Sequence, residues 1–269
     1  MSLTADGLVD PAFARTTNLE PDPSVADRFR AEYDSGWSSL RGVHGGYQTA
    51  IAVRAAEAVA PERAVRTVTA SFLRPAVVGP AMLDVDVLRA TRAFTTSVVT
   101  VRQEERPVLV ARVTAIAEVA GHEWATPAAD HPAPFEDAVA FTPPPQIPHF
   151  GQAQLRLDPA TVPQADADEA RIAGYIRPNH GGRLDAAWLV MAGDWFPPSP
   201  FRRVPVPIGG VSVDYTVHVH RTVTLGPDEW LQAVFATPNS AAGLALEHGS
   251  LATADGVLVA ETFHTRWTG

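Results

Sequence analysis

Cysteine is absent from this 269-residue chain. Disulfide bonds, thiolate metal sites and a cysteine nucleophile are therefore excluded, and the reducing cytosol is the expected compartment, so we predict a cytoplasmic protein. No apolar run reaches the ~20 residues that a membrane-spanning helix needs. The N-terminal stretch also lacks the basic start and the apolar run of a secretory signal.

Positive charge is scarce. The chain has 21 Lys and Arg against 30 Asp and Glu, which gives a formal net charge of -9 at pH 7. A general nucleic-acid binder needs a concentrated basic surface to neutralise phosphates, so we expect no nucleic-acid partner. The remaining composition, 46% hydrophobic and 19% charged, is typical of a globular protein.

Two common enzyme signatures are missing. The chain contains neither the GxSxG nucleophile elbow of serine hydrolases nor the GxGxxG fingerprint of dinucleotide-binding proteins. We therefore predict no cofactor. His218 and His220 stand two positions apart on a predicted strand and share a face, which suits a metal, but no third ligand is evident, so we predict no metal site.

The chain contains an internal repeat. A His-Gly-Gly tripeptide begins at His44 and again at His180, and a proline follows seventeen positions later in both copies, at Pro61 and Pro197. Glycines at the start, an apolar body and a terminating proline predict the same helix twice. Because both segments are apolar on nearly every side, we expect other structure to surround each helix.

Four strand-like segments follow each predicted helix. Apolar and polar residues alternate within them, and Gly or Pro separates them. They span 65–75, 81–90, 94–104 and 108–119 in the first half, and 211–221, 229–239, 243–253 and 257–267 in the second. Residues 170–177, and a counterpart near 29–37, predict one further strand before each helix.

Residues 121–169 differ from both halves because they are rich in Pro, Ala and acidic residues, so we predict a linker there. The predicted domains are then 1–120, the linker 121–169, and 170–269. The fold class is α+β: each domain is an antiparallel sheet wrapped around a helix, and the two sheets join edge to edge into one continuous sheet.

The order of motifs resembles the acyl-CoA thioesterase II type of double-hotdog proteins. The resemblance is carried by GVHGGYQTAIAVRAA, SFLRPAVVGP, VSVDYTVHVHR and DGVLVAETFH, and it covers most of residues 35–265. It implies a double-hotdog fold and an acyl-CoA substrate. It also implies hydrolysis without a metal or a covalent intermediate, by a water held among an aspartate, a hydroxyl residue and a glutamine of the second half.

The resemblance transfers three catalytic positions to this chain. The aspartate matches Asp194, the hydroxyl residue matches Ser212, where threonine is usual, and the glutamine position holds His264. Histidine keeps a donor and an acceptor and can also take a proton near neutral pH. The replacement leaves open an alternative function, a non-catalytic acyl-CoA or lipid-binding hotdog module. A hotdog dehydratase is a weaker third alternative.

Comparison of the two halves predicts one site per chain. Aligning the repeats places each candidate residue opposite a small or apolar counterpart: Asp194 opposite Ala58, Ser212 opposite Val65, and His264 opposite Ala115. Asp194 falls near the C-terminal end of an apolar helix, where burial and the helix dipole both destabilise a carboxylate. A residue that costs stability in this way suggests a function.

These residues suggest a mechanism. Asp194, as base or orienting group, and His264 activate a water fixed by Ser212, and the water attacks the thioester carbonyl. At the first helix start, the N–H groups of Gly45 and Gly46 stabilise the oxyanion, with His44 beside them as a substrate-binding residue. The second His-Gly-Gly, at 180–182, is interpreted as a tight, closely packed helix start. Outward sheet faces also suggest a homo-oligomer, a dimer or larger.

Overall fold

The structure is a computed structural model that describes residues 10–118, 121–164, 166–204 and 211–268. The first half begins with helix α1, Pro11–Thr16, and contains the long helix α2, Gly45–Val59. Its strands are β1 Glu20–Pro21, β2 Arg28–Tyr33, β3 Ser38–Ser39, β4 Gly42–Val43, β5 Ala64–Phe72, β6 Gly79–Ala90, β7 Phe94–Gln103 and β8 Arg106–Ile116.

The rest of the chain contains one short α-helix, α3, Ala186–Ala192. Its strands are β9 Val139–Ala140, β10 Ala153–Leu157, β11 Arg171–Pro178, β12 Gly182–Leu184, β13 Val211–Val219, β14 Val223–Leu225, β15 Leu231–Ala241, β16 Leu244–Ala252 and β17 Leu258–Trp267. Short 3-10 helices span Ser35–Trp37, Phe135–Asp137, Pro148–Gln152, Pro159–Thr161 and Ser199–Arg202.

Most strands belong to one antiparallel sheet that runs through both halves. The order is β1-β2-β6-β7-β8-β5-β13-β17-β16-β15-β11-β10-β9. The halves join where β5 pairs with β13, with Val68 opposite Val217. This pairing covers one edge of each sheet. The predicted α+β double-hotdog fold is confirmed, and nine of the ten predicted strands lie within three residues of an observed one. The exception is the strand predicted near 29–37, which ends at Tyr33 and is followed by the 3-10 helix Ser35–Trp37.

Helix α2 lies in the core, as the apolar pattern predicted. Its central residues, among them Ile51 and Val53, are fully buried against the sheet. Its few charged groups face the second helix: Arg54 pairs with Glu57 at 3.1 Å and with Asp185, the N-cap of α3, at 2.7 Å. The salt bridge from Arg54 to Asp185 therefore joins the two helices.

The second predicted helix is wrong at its start. Gly181 and Gly182 have φ of 69° and 112°, a backbone that no right-handed helix uses, and β12 begins at Gly182 and pairs with β14. Helix α3 begins only after Asp185, whose carboxylate accepts from the Trp188 N–H at 2.9 Å. The second His-Gly-Gly is thus a turn into a strand, and the equal spacing to proline did not reflect equal helices.

The segment predicted as a linker also contributes to the sheet. Strand β10 pairs antiparallel with β11, from Ala153 opposite Pro178 to Leu157 opposite Gly174, and β9 pairs with β10. The apolar side chains of β10 are buried at alternate positions. Five alternating residues among many prolines were too short a signal to predict this strand.

None of the helices in the described ranges is long and apolar enough to span a membrane.

Candidate active site

Asp194 lies in the turn directly after α3, and its carboxylate points at the start of α2. Oδ2 accepts a hydrogen bond from the Gly46 N–H at 2.8 Å. The His44 ring caps α2 by accepting from the Tyr47 N–H at Nδ1, so Nε2 carries the proton and donates to the Asp194 carbonyl oxygen at 2.8 Å. The positive end of α2 thus faces a buried carboxylate, which it stabilises.

The two glycines of the first tripeptide make this approach sterically feasible. A Cβ on Gly46 would lie 2.8 Å from the Met191 carbonyl oxygen and 2.9 Å from the Asp194 Cβ, and one on Gly45 would lie 3.0 Å from the Asp194 Oδ2. Because the Gly46 N–H donates to Asp194, it is not free for an oxyanion, which corrects the prediction for that residue.

Ser212 and His264 meet on neighbouring strands, β13 and β17. The Ser212 Oγ lies 2.7 Å from the His264 Nε2, and the His264 Nδ1 lies 3.3 Å from the Asp194 Oδ1. The three predicted catalytic residues therefore form a chain of contacts in the order Asp194, His264, Ser212. The Nδ1 distance is longer than a well-formed hydrogen bond, and Nδ1 has no hydrogen-bond partner among the described residues.

A β-bulge places Ser212 beside His264. Ser212 pairs with Arg266, whereas Asp214 pairs with Thr265, so the extra residue on β13 is Val213. Strict alternation from the buried Tyr215 would turn Ser212 away from the core, and the extra residue restores it to the inner face. The half-buried Ser212 and the buried His264 then share one side of the sheet.

A buried ion network supports Asp194, and the sequence analysis missed it. The Arg266 Nη2 donates to the Asp194 Oδ1 at 3.2 Å, and its Nε donates to the Glu247 Oε1 at 2.8 Å. Glu247 also accepts from the Ser199 N–H at 2.6 Å. Arg266 and Glu247 are 3% and 2% exposed, so neither charge has water to stabilise it. Alternation gave no signal for Glu247, because the neighbouring Leu244 and Leu246 are exposed on β16 and the glutamate is buried.

Three buried histidines surround Asp194 and are held neutral. Burial lowers the pKa of His264 to about 3, with Arg266 adding to the effect and Asp194 opposing it. Burial likewise lowers the pKa of His44 to about 4 and that of His149 to about 3. A neutral imidazole can accept a proton, which is the state that a general base needs.

His149 comes from the segment predicted as a linker, and its role was not predicted. Its ring stacks on His44 with centroids 4.4 Å apart and meets the buried Trp195 edge to face at 5.2 Å. Trp195 also contacts Trp37 at 5.9 Å. These aromatic rings fix the turn that carries Asp194, so Trp195 acts as core packing.

The structure corrects two of the predicted correspondences between the halves. Ala58 lies inside α2 whereas Asp194 lies after the end of α3, so these two residues do not correspond. The β5 bulge lies at Arg66, 147 positions before the β13 bulge at Val213, so Ser212 does correspond to Val65. In that register Ser212 pairs with Arg266 and Val65 pairs with Ala115, so Ala115 corresponds to Arg266. The counterpart of His264, two residues earlier on the strand, is the buried Val113.

The histidine pair considered for a metal does not gather further ligands. The His220 Nε2 contacts the Glu261 Oε2 at 2.6 Å, and the His218 Nδ1 lies 3.4 Å from the Thr67 hydroxyl. Within the described ranges, no group of three His, Asp or Glu side chains is arranged to hold a metal ion.

The fold and the site define a double-hotdog protein of the thioesterase class. A family model for the acyl-CoA thioesterase N-terminal domain matches residues 33–116, and one for the C-terminal domain matches residues 125–267. The chain therefore belongs to the acyl-CoA thioesterase family and is a thioester hydrolase. The C-terminal match includes most of the segment predicted as a linker.

Solved structures share the fold over nearly the whole chain. A Thermobifida fusca protein assigned as a thioesterase II has a TM-score of 0.84 at 22% identity, covering 98% of this chain and 99% of its own. A hot dog protein of unknown function from Alicyclobacillus acidocaldarius has a TM-score of 0.84 at 23% identity, covering 97% and 99%. The acyl-CoA thioesterase II TesB2 of Mycobacterium marinum gives 0.73 at 21%, covering 96% and 98%. No curated protein sequence matches the chain.

Proposed function

We propose that this chain hydrolyses acyl-CoA to a free fatty acid and CoA at the cluster of Asp194, His264 and Ser212. The observation that carries the proposal is the close approach of three groups: the Asp194 Oδ1 lies 3.3 Å from the His264 Nδ1, and the His264 Nε2 lies 2.7 Å from the Ser212 Oγ. A thioester is cleaved when an activated hydroxyl group attacks its carbonyl, and this order of groups can remove the proton from such a hydroxyl.

Each residue has a separate role in the proposed reaction. His264 is the general base because its Nε2 lies 2.7 Å from the Ser212 Oγ, within reach of a proton. Burial lowers its pKa to about 3, which leaves the ring unprotonated and also weakens it as a base. Asp194 faces Nδ1, so the ring proton belongs there and the Nε2 lone pair points at Ser212. A water that His264 deprotonates supplies the hydroxyl group of the free acid.

The first helix start supplies the proposed oxyanion donor. Gly46 and Tyr47 already donate their N–H groups to Asp194 and His44, respectively. Among the described residues, no hydrogen bond from the Gly45 N–H is found. A free N–H in the first turn of a 15-residue helix, α2, combines a hydrogen-bond donor with the positive end of the helix dipole. We therefore keep Gly45, and not Gly46, as the oxyanion residue.

The test is hydrolysis of acyl-CoAs of increasing chain length, followed by released thiol, for the wild type and Asp194→Asn. We expect the wild type to release CoA and the variant to lose about 10²-fold or more in kcat/KM, because the imidazole loses its orienting charge. Asp86→Asn is the matched control, since Asp86 is exposed on β6. It should hydrolyse like the wild type.

The same assay separates the alternatives. Acyl-CoA binding without turnover of any chain length would contradict the proposal and favour the lipid-binding module. Turnover of acyl-carrier-protein thioesters alone would keep the reaction and replace CoA as the carrier.

The cytosolic location, the homo-oligomer, the single site per chain and the domain boundaries remain predictions.

A further inference from the structure

The contact between Ser212 and His264 is direct. At 2.7 Å the Ser212 Oγ and the His264 Nε2 are within hydrogen-bond distance, and no water fits between them. A neutral imidazole has one lone pair. With the ring proton on Nδ1 beside Asp194, that lone pair accepts the Ser212 hydroxyl proton. The proton that the base is placed to remove first therefore belongs to the serine.

Exposure separates the two residues. His264 is 1% exposed, whereas Ser212 is half-buried. A substrate carbonyl that approaches this part of the inner face therefore reaches the hydroxyl oxygen before it reaches the ring. The bulge at Val213 produces this arrangement, since it turns Ser212 to the inner face in front of His264.

We infer that Ser212 is the nucleophile and that hydrolysis passes through an acyl-enzyme, an inference that rests on the proposed thioesterase function. The Ser212 Oγ forms a bond to the thioester carbonyl carbon while its proton moves to the His264 Nε2. The carbon–sulfur bond then breaks, and the CoA thiolate takes that proton and leaves as the thiol. The acyl group remains on Ser212 as an oxygen ester.

Water completes the cycle. Departure of CoA admits a water to the position beside the ester carbonyl, and the His264 Nε2 takes its proton as the oxygen–carbon bond forms. The ester bond to Ser212 breaks, the serine oxygen regains the proton, and the free acid leaves. The family resemblance implied a single attack by water, so this chain would differ from that pattern through its histidine at the glutamine position.

The first experiment is covalent labelling by an alkyl fluorophosphonate, a probe that reacts with base-activated serine. We expect the intact mass to rise by one adduct, peptide mapping to place it on Ser212, and thiol release from acyl-CoA to fall in proportion to labelling. Ser240→Ala is the matched control because Ser240 is an exposed serine on β15. It should label and turn over like the wild type.

The second experiment replaces the base. His264→Gln restores the family's glutamine, which keeps a donor and an acceptor but takes no proton at neutral pH. If Ser212 attacks, this variant should lose the label and about 10³-fold or more in kcat. Ser212→Ala should lose both as well, and far-ultraviolet circular dichroism should show that both variants remain folded.

The outcomes distinguish the inference from the function on which it rests. A wild type that hydrolyses no acyl-CoA removes the proposed function. A wild type that hydrolyses acyl-CoA but stays unlabelled after exhaustive exposure would contradict the serine nucleophile alone. Turnover retained by His264→Gln would do the same and return the reaction to direct attack by water.

Discussion

The two halves of the molecule have the same strand arrangement, but near the junction the inner faces of their sheets carry different side chains. Both β5 and β13 have a bulge, and each pairs with the last strand of its own half, β8 or β17. In the first half the positions beside the bulge are buried and apolar. In the second half they carry a hydroxyl, an imidazole and a guanidinium. The corresponding residues are Val65 and Ser212, Val113 and His264, and Ala115 and Arg266.

The comparison teaches that the site belongs to neither half alone. The second half supplies Asp194, Ser212 and His264, whereas the first supplies α2, whose Gly46 N–H holds the carboxylate. The helices also differ in length, with 15 residues in α2 and 7 in α3. Only the long helix brings an N-terminus to the carboxylate of the other half.

Truncating the corresponding residues His264 and Val113 should give the largest contrast. His264→Ala removes the proposed general base, so kcat/KM should fall by about 10²–10⁴-fold with acyl-CoA. Val113→Ala removes only core packing, so it should cost roughly 1–3 kcal/mol of unfolding free energy and leave kcat/KM unchanged. Steady-state kinetics on both variants measures kcat/KM, and urea unfolding measures the free energy of unfolding. Equal kinetic losses would show that the two halves share the chemistry.

Removing the buried cation should destabilise the second half strongly. Arg266→Met leaves the carboxylates of Asp194 and Glu247 buried without their partner, which we expect to cost about 3–5 kcal/mol in urea unfolding. Arg112→Met is the control in the first half, because Arg112 is exposed on β8. Its effect should stay within about 0.5 kcal/mol. Similar losses of unfolding free energy in the two variants would show that the buried ion network does not stabilise the fold more than an exposed arginine does.

Disturbing the contact between the start of α2 and the Asp194 turn should cost less stability than removing Arg266. Gly46→Ala adds a Cβ 2.8 Å from the Met191 carbonyl oxygen, so α2 and the Asp194 turn must move apart. We expect a loss of about 1–3 kcal/mol in stability, together with reduced kcat. Gly151→Ala is the control, since nothing lies within 4 Å of its Cβ position. Unchanged kcat in Gly46→Ala would show that the helix contact does not position Asp194.

The last prediction concerns the pH dependence of stability. Because the pKa of His264 is lowered to about 3 from its usual 6.5, the unfolded state binds its proton more readily between these values. The free energy of unfolding therefore falls as pH falls from 6.5 towards 3. This histidine contributes about 1.4 kcal/mol per pH unit to that fall. His264→Ala should reduce the slope of unfolding free energy against pH by the contribution of this histidine, and Val113→Ala should leave the slope unchanged. Identical slopes in all three proteins would refute the buried neutral imidazole.

Local patterns were sufficient to predict most of the fold, whereas the three candidate site residues came from the family resemblance and stay a prediction. Alternation predicted the eight long strands, and apolar composition placed α2 in the core. Where a pattern was short or ambiguous, prediction failed: β10 has five residues among prolines, and the second His-Gly-Gly leads into a strand. Arg266 and Glu247 went unnoticed because charged residues in alternating strands usually face solvent.

The sequence by itself determined that the molecule is two helix-wrapped sheets and that only its second half carries polar residues at the equivalent inner positions. Tertiary structure alone decided how those residues meet. The bulge at Val213 turns Ser212 towards His264, and packing of the two halves brings the start of α2 to Asp194. The physical reason is that a one-residue shift in pairing reverses the face of every side chain beyond it, and pairing joins strands distant in the chain.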